Sequence, residues 1–142
     1  MADTLATLIK VLGWRVDMQQ RQLAAASRHA EHLRQKHRDL HIEVATESAA
    51  AREAPPGPGN TFPAYVRAAI ERDRRLQTGI TEAEADVSDR QAGLRDAFAE
   101  RKRLELLAER RRQREEAEEA RRQQHLLDEI AQSRHLGRPA EP

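Results

Sequence analysis

Stepping alternately by four and three residues from Leu5 gives Leu5, Ile9, Leu12, Val16, Gln19, Leu23, Ala26, Ala30, Leu33, His37, Leu40, Val44, Glu47 and Ala51. Eleven of these fourteen positions are apolar. The alternation is that of the a and d positions of a coiled coil, and it holds without a stutter for about six and a half heptads. No proline interrupts it. Asp3 or Thr4 is placed to cap its start.

The stretch Ala54-Pro55-Pro56-Gly57-Pro58-Gly59-Asn60 must end this helix. Proline has no amide proton to donate and clashes with the preceding turn, and glycine adds backbone freedom. Asn60 or Thr61 can open a second helix, in whose first turn Pro63 is tolerated. The same stepping from Phe62 gives Phe62, Val66, Ala69, Asp73, Leu76, Ile80, Ala83, Val87, Arg90 and Leu94, eight of ten apolar. Of the next five, Ala97, Arg101, Leu104, Ala108 and Arg111, three are apolar. Of Glu115, Glu118, Arg122, His125 and Glu129, none is.

Length explains this decay. With the turn near residue 57, antiparallel pairing sets Leu5 opposite residue ~110. Beyond that point the second helix has no partner in its own chain. At 1.5 Å per residue the first helix would run ~75 Å and the second ~105 Å. The expected fold is therefore all-α, a long antiparallel two-helix coiled-coil hairpin with a C-terminal helical overhang. It forms a single unit over 1–142: helix 1 over about 3–53, a turn over 54–61, helix 2 over about 62–134 and a frayed tail over 135–142. The charged segment from Arg112 to Gln124 is held helical by propensity and by pairs such as Glu118 with Arg122. Gly137, Arg138 and Pro139 end the helix.

Composition fits this picture. Charged residues make up 35% and aromatics 3%, which with a sustained apolar period reads as coiled coil rather than disorder. The absence of cysteine excludes a disulfide framework, a thiolate metal site and a cysteine nucleophile. No secretory signal or membrane span is evident, so a cytoplasmic chain is expected. A net charge of +1 predicts no affinity for nucleic acid through gross charge. The charge is unevenly placed, however. Between Arg101 and Arg114 lie seven basic residues and two acidic ones, followed by Glu115, Glu116, Glu118 and Glu119.

No catalytic constellation emerges, and a thin hairpin lacks the concave pocket most enzymes need. No enzymatic activity, cofactor or small-molecule substrate is expected. His37 and His41 lie one helical turn apart, as the ligands of some helical metal sites do, and His29 and His32 are three apart. Spacing alone offers no third ligand. These histidines read as polar residues of a helix face, with His37 on the seam tuning register, and no metal ligand is assigned.

Val11, Trp14 and Met18 form a second apolar stripe on helix 1, away from the a/d seam. Outward Trp and Met at helical spacing favour a packed partner. By the register above, Leu104, Leu106 and Leu107 lie near it, within the arginine run. A third cluster, Leu126, Leu127, Ile130 and Ala131, has no partner in its own chain, and reads equally as a small helix-end patch of no consequence or as a docking segment for another protein. At the closed end Phe62 is expected across the seam and Tyr65 outward.

Three segments in this order resemble the flagellar export protein FliJ family of the type III export apparatus. They are Leu5-Ala6-Thr7-Leu8-Ile9-Lys10-Val11-Leu12 followed by Trp14-Arg15-Val16-Asp17, then Phe62-Pro63-Ala64-Tyr65-Val66, and Gln124-His125-Leu126-Leu127-Asp128-Glu129-Ile130-Ala131. The resemblance implies a non-enzymatic, cytoplasmic stalk, peripheral at the cytoplasmic face of the inner membrane and attached to it only indirectly. Its implied partners are the hexameric export ATPase, whose central hole receives the open end of the hairpin, the export gate membrane protein and export chaperones, which it helps recycle. Carried over by position, the ATPase-ring contacts are Val11, Trp14, Met18, Arg101, Arg103, Leu104, Leu107, Arg111, Leu126, Leu127 and Ile130. The gate contacts are Leu40, Glu43, Tyr65 and Ala69. The competing readings are the stalk of a virulence type III secretion system and a structural homo-oligomeric coiled coil. Nucleic-acid binding by the arginine run is disfavoured by its interspersed Glu and lack of stacking aromatics.

Overall fold

The computed structural model describes residues 2–137, with side chains from Thr4 onward. Two helices, α1 (Ala2–Glu53) and α2 (Phe62–Leu136), pack against each other, and no strand occurs among the described residues. The fold is the all-α helical hairpin that the apolar period predicts. The chain divides into two compact units: a hairpin unit, Trp14–Phe98, and a terminal unit, Met1–Gly13 with Ala99–Pro142. α1 begins at Ala2, so Thr4 sits inside its first turn rather than capping it. The side chain of Asp3, and Arg138 and Pro139 after α2, lie outside the described residues.

In the hairpin unit α1 stops at Glu53, one residue short of the residue before Pro55. A residue preceding proline is driven out of the helical region. None of the described residues, glycines included, has a positive φ. The break therefore rests on Pro55, Pro56 and Pro58 rather than on left-handed glycine. The Asn60 N–H donates to the Gly57 carbonyl at 3.1 Å, closing the turn. The Asn60 side-chain oxygen then accepts from the Phe62 N–H at 3.0 Å, satisfying one of the orphan donors that open α2. The Thr61 carbonyl accepts the first helical bond, from the Tyr65 N–H at 3.0 Å. Pro63 falls in the first turn, where no N–H is required.

Cross-helix neighbours run antiparallel. Glu43 bonds Arg72, His37 bonds Asp73 and Gln22 bonds Arg90. Leu33 lies against Gly79, and Gln19 against Gly93. The seam between them is thin. Its buried residues are Val16, Ala26, Ala30, Leu40, Ala69, Ala83 and Ala97. Alanine dominates because a small side chain lets two helices approach closely. The large side chains sealed almost completely are Val16, 2% exposed, and Leu40, 3% exposed.

In the terminal unit Leu5 and Leu12 are buried, and Ile9, Leu104 and Ala108 are half-buried. Leu5, Ala6 and Ile9 share a cleft with Ala108, Arg111, Arg112 and Glu115. There the seam ends. Every residue from Arg110 to Gly137 is exposed, although α2 continues to Leu136. It closes with the Gly137 N–H donating to the Ser133 carbonyl at 3.0 Å.

Candidate functional site

The uncovered part of α2 holds its form by local means. Arg112 pairs backward with Glu109 at 2.6 Å and forward with Glu116 at 2.8 Å. The Gln124 amide donates to Asp128 at 3.0 Å, and His125 lies 3.5 Å from Glu129. Arg122 pairs with Glu119, one helical step from the Glu118 that spacing suggested. All these partners stand three or four residues apart, where helical side chains meet. Hydrogen bonding to Arg112 holds the Glu109 carboxyl below its usual range.

On this solvated helix Leu126, Leu127 and Ile130 are exposed, Leu127 by 60%. Their spacing gathers them on one face. Elsewhere in the terminal unit Val11 and Leu107 are exposed apolar residues, as the sequence suggests, and Arg103 and Arg111 are exposed. Arg101 and Leu104 are half-buried. The Arg101 guanidinium lies over Gly13, where a side chain would meet it at 3.8 Å, and donates to Glu105 at 3.0 Å. Leu8 and Leu106 add to the exposed apolar surface. Leu8 escaped the sequence reading although it stands one helical turn before Val11. In the hairpin unit Trp14 and Met18 are exposed, Trp14 by 61%.

The residues expected at the export gate separate into two kinds. Leu40, 3% exposed, and Ala69 are buried in the seam, so neither reaches a partner while the helices stay paired. Glu43 is exposed and accepts from Arg72 at 3.2 Å. Tyr65 does not point outward as the heptad projection suggests. Its ring stacks on Phe62 at 6.2 Å between centroids, and its hydroxyl is buried without a hydrogen-bond partner. Burial pushes its pKa up, and the Glu43 and Glu47 carboxylates add to the shift. With Glu47 and the turn residues Pro55, Pro56, Asn60 and Thr61, Phe62 and Tyr65 line an open cleft.

The hairpin unit also gathers a group that spacing left incomplete. His37 Nε2 lies 2.7 Å from Asp73 Oδ1, His41 Nε2 lies 3.0 Å from the same oxygen, and the two nitrogens are 3.2 Å apart. The imidazole rings meet edge to face at 4.5 Å. The two histidines share a face of α1, and Asp73 reaches them from α2. His37 and Asp73 both break the apolar pattern of the seam, and they do so opposite each other. That coincidence was the available signal for the third member.

The family model described as Flagellar FliJ protein matches residues 1–140 of the 142-residue chain. The chain belongs to the FliJ family. Membership makes it a component of the flagellar protein export apparatus. No curated relative and no solved structure matches the chain. In this FliJ protein apolar side chains stand outward on a charged helix, and no described helix is long and apolar enough to cross a membrane.

Proposed function

We propose that this FliJ protein is the stalk of the export machine, a non-enzymatic part that binds the hexameric export ATPase through its terminal unit. The observation that carries the reading is the exposure of Leu126, Leu127 and Ile130 on a helix whose own chain covers nothing beyond Glu109. Apolar side chains held outward on an otherwise charged helix favour a partner's groove. Val11, Leu104 and Leu107 supply further apolar contact, and Arg101, Arg103 and Arg111 supply positive charge for acidic groups of the ring. Trp14 and Met18 form a second contact on the hairpin unit.

The stalk would work by allostery: an asymmetric insert favours one ATPase subunit state at a time and so couples nucleotide turnover to export. The chain would act in the cytoplasm, reaching the membrane only through the export gate. Within the hairpin unit Glu43 and the Tyr65 edge of the turn cleft are the groups to offer that gate. Family membership alone supports a part in recycling export chaperones.

Leu127→Asp should abolish capture of the matching export ATPase and its stimulation, while helicity stays at the wild-type level. Wild-type binding and stimulation by that variant would sink the terminal-unit assignment. A stable dimer in sedimentation that Leu127→Asp dissolves would favour a homo-oligomeric coiled coil instead.

A further inference from the structure

We propose that His37, His41 and Asp73 bind one divalent transition-metal ion of the zinc class, which clamps α1 to α2 within the hairpin unit. The three ligand atoms, His37 Nε2, His41 Nε2 and Asp73 Oδ1, all lie within 4.8 Å of one another. Their mutual distances of 2.7, 3.0 and 3.2 Å make every pair a close polar contact. No placement of protons on neutral rings satisfies all three. If both Nε2 atoms carry hydrogen, both donate to Asp73 but face each other as two donors. If one carries hydrogen, the other turns a lone pair toward the carboxylate oxygen. If neither does, all three meet lone pair to lone pair. A cation among them accepts a lone pair from each and removes the conflict.

The dimensions suit this ion. Zinc holds imidazole nitrogen at 2.0–2.1 Å and carboxylate oxygen at 2.0–2.2 Å, so tetrahedral ligand atoms stand about 3.4 Å apart. The present distances need to open by less than an ångström. His41, whose side chain is 64% exposed, can move outward to open them. His37 and Asp73 are held more firmly, at 25% and 30% exposure in the seam. Two imidazoles with one carboxylate select zinc, nickel or copper over magnesium and calcium, which require oxygen ligands. The exposed side of His41 leaves room for water as the fourth ligand. Because the ligands come from both helices, the ion would fix their register where two polar residues interrupt the apolar seam.

The test uses the full chain stripped with a chelator, titrated with Zn2+ by calorimetry and with Co2+ by visible absorption. One equivalent of Zn2+ should bind, with the absorption of a four-coordinate Co2+ complex. Saturating Zn2+ should raise the unfolding temperature by at least about 4 °C, and Mg2+ should not. His41→Ala alters an exposed side chain and leaves the seam in place. It should weaken Zn2+ binding at least tenfold and remove the thermal shift. Asp73→Asn keeps the side-chain size and should do the same, whereas His29→Ala should change neither. The proposal is overturned if wild-type protein takes up no Zn2+, or if His41→Ala and Asp73→Asn, both still helical, bind it as wild type does. Loss of binding in His29→Ala instead would equally overturn it, placing the ion on the other histidine pair.

Discussion

The hairpin unit and the uncovered part of α2 use the same residues for different ends. In the hairpin unit, beside local pairs such as Arg75 with Glu71 and Arg90 with Asp86, other polar pairs cross between helices: Arg34 with Glu84, Arg72 with Glu43, Arg90 with Gln22, His37 with Asp73. Past Arg110 every described pair lies within one helix, three or four residues apart. Cross-helix pairs are sensitive to a shift of one helix along the other, so they fix register. Local pairs are indifferent to what lies opposite, so they keep a helix formed while leaving its faces available. Charge content therefore says little about which segment is covered. The direction in which the charges pair says much.

The sharpest way to break this comparison is to delete a large apolar side chain from each region. Leu40→Ala empties a 3% exposed seam position and should destabilise the chain by about 2–5 kcal/mol in urea unfolding. Leu127→Ala removes a side chain of the same size from an exposed position and should change stability by less than about 0.5 kcal/mol. Comparable losses in the two variants would mean that Leu127 is covered by the protein itself, and the proposed docking face would be lost with the comparison.

Much of this contrast can be read from the sequence. The alternation of four and three residues identifies seam positions one by one. From Leu5 to Ala51 and from Phe62 to Ala108 each stepped position is buried or half-buried, with Glu47 the exception. The loss of the apolar stripe after Ala108 marks where cover ends, because an exposed stripe there would have no partner in the chain. Periodicity assigns a face, however, and not the residue across it. Asp73 was visible only as an interruption of the seam; its meeting with His37 and His41 depends on register. Tyr65 was misplaced for a related reason. A heptad projection assumes an undisturbed coiled coil, whereas the first turn after a proline-rich break packs on the turn itself, and the ring settles on Phe62. Leu40 and Ala69 were offered as contacts although the same stepping puts both in the seam, and there the stepping was the better guide.

A smaller effect sharpens the account of how closely the helices approach. Gly79 and Gly93 sit inside α2 facing α1, where glycine is less favourable than alanine by about 0.5–1 kcal/mol. A Cβ at Gly79 would meet Leu33 Cδ1 at 3.5 Å, an ordinary contact. Gly79→Ala should therefore gain most of that difference in urea unfolding. At Gly93 the Cβ would meet Gln19 Oε1 at 3.3 Å, close enough that the Gln19 side chain must shift. Gly93→Ala should gain less. A larger gain at Gly93 would mean that Gln19 holds no fixed place in the seam.

The smallest expected effect concerns the local pairs alone. Hydrogen bonding from Arg112 lowers the Glu109 pKa in the folded chain. A lowered carboxylate pKa stabilises the fold at pH above the ordinary glutamate range. That contribution is lost as pH falls through the folded value, which lies below the ordinary one. The Glu109 carboxyl resonance should thus titrate below the usual glutamate midpoint, and Arg112→Gln should return it toward that midpoint. The Arg112 side chain is 60% exposed and that of Glu109 46%, so salt should screen the shift and global stability should barely move. A midpoint in the variant equal to that of wild type would mean that Arg112 is not the partner. A marked loss of global stability in the same variant would mean that this part of α2 is packed against something, contrary to the contrast with the hairpin unit.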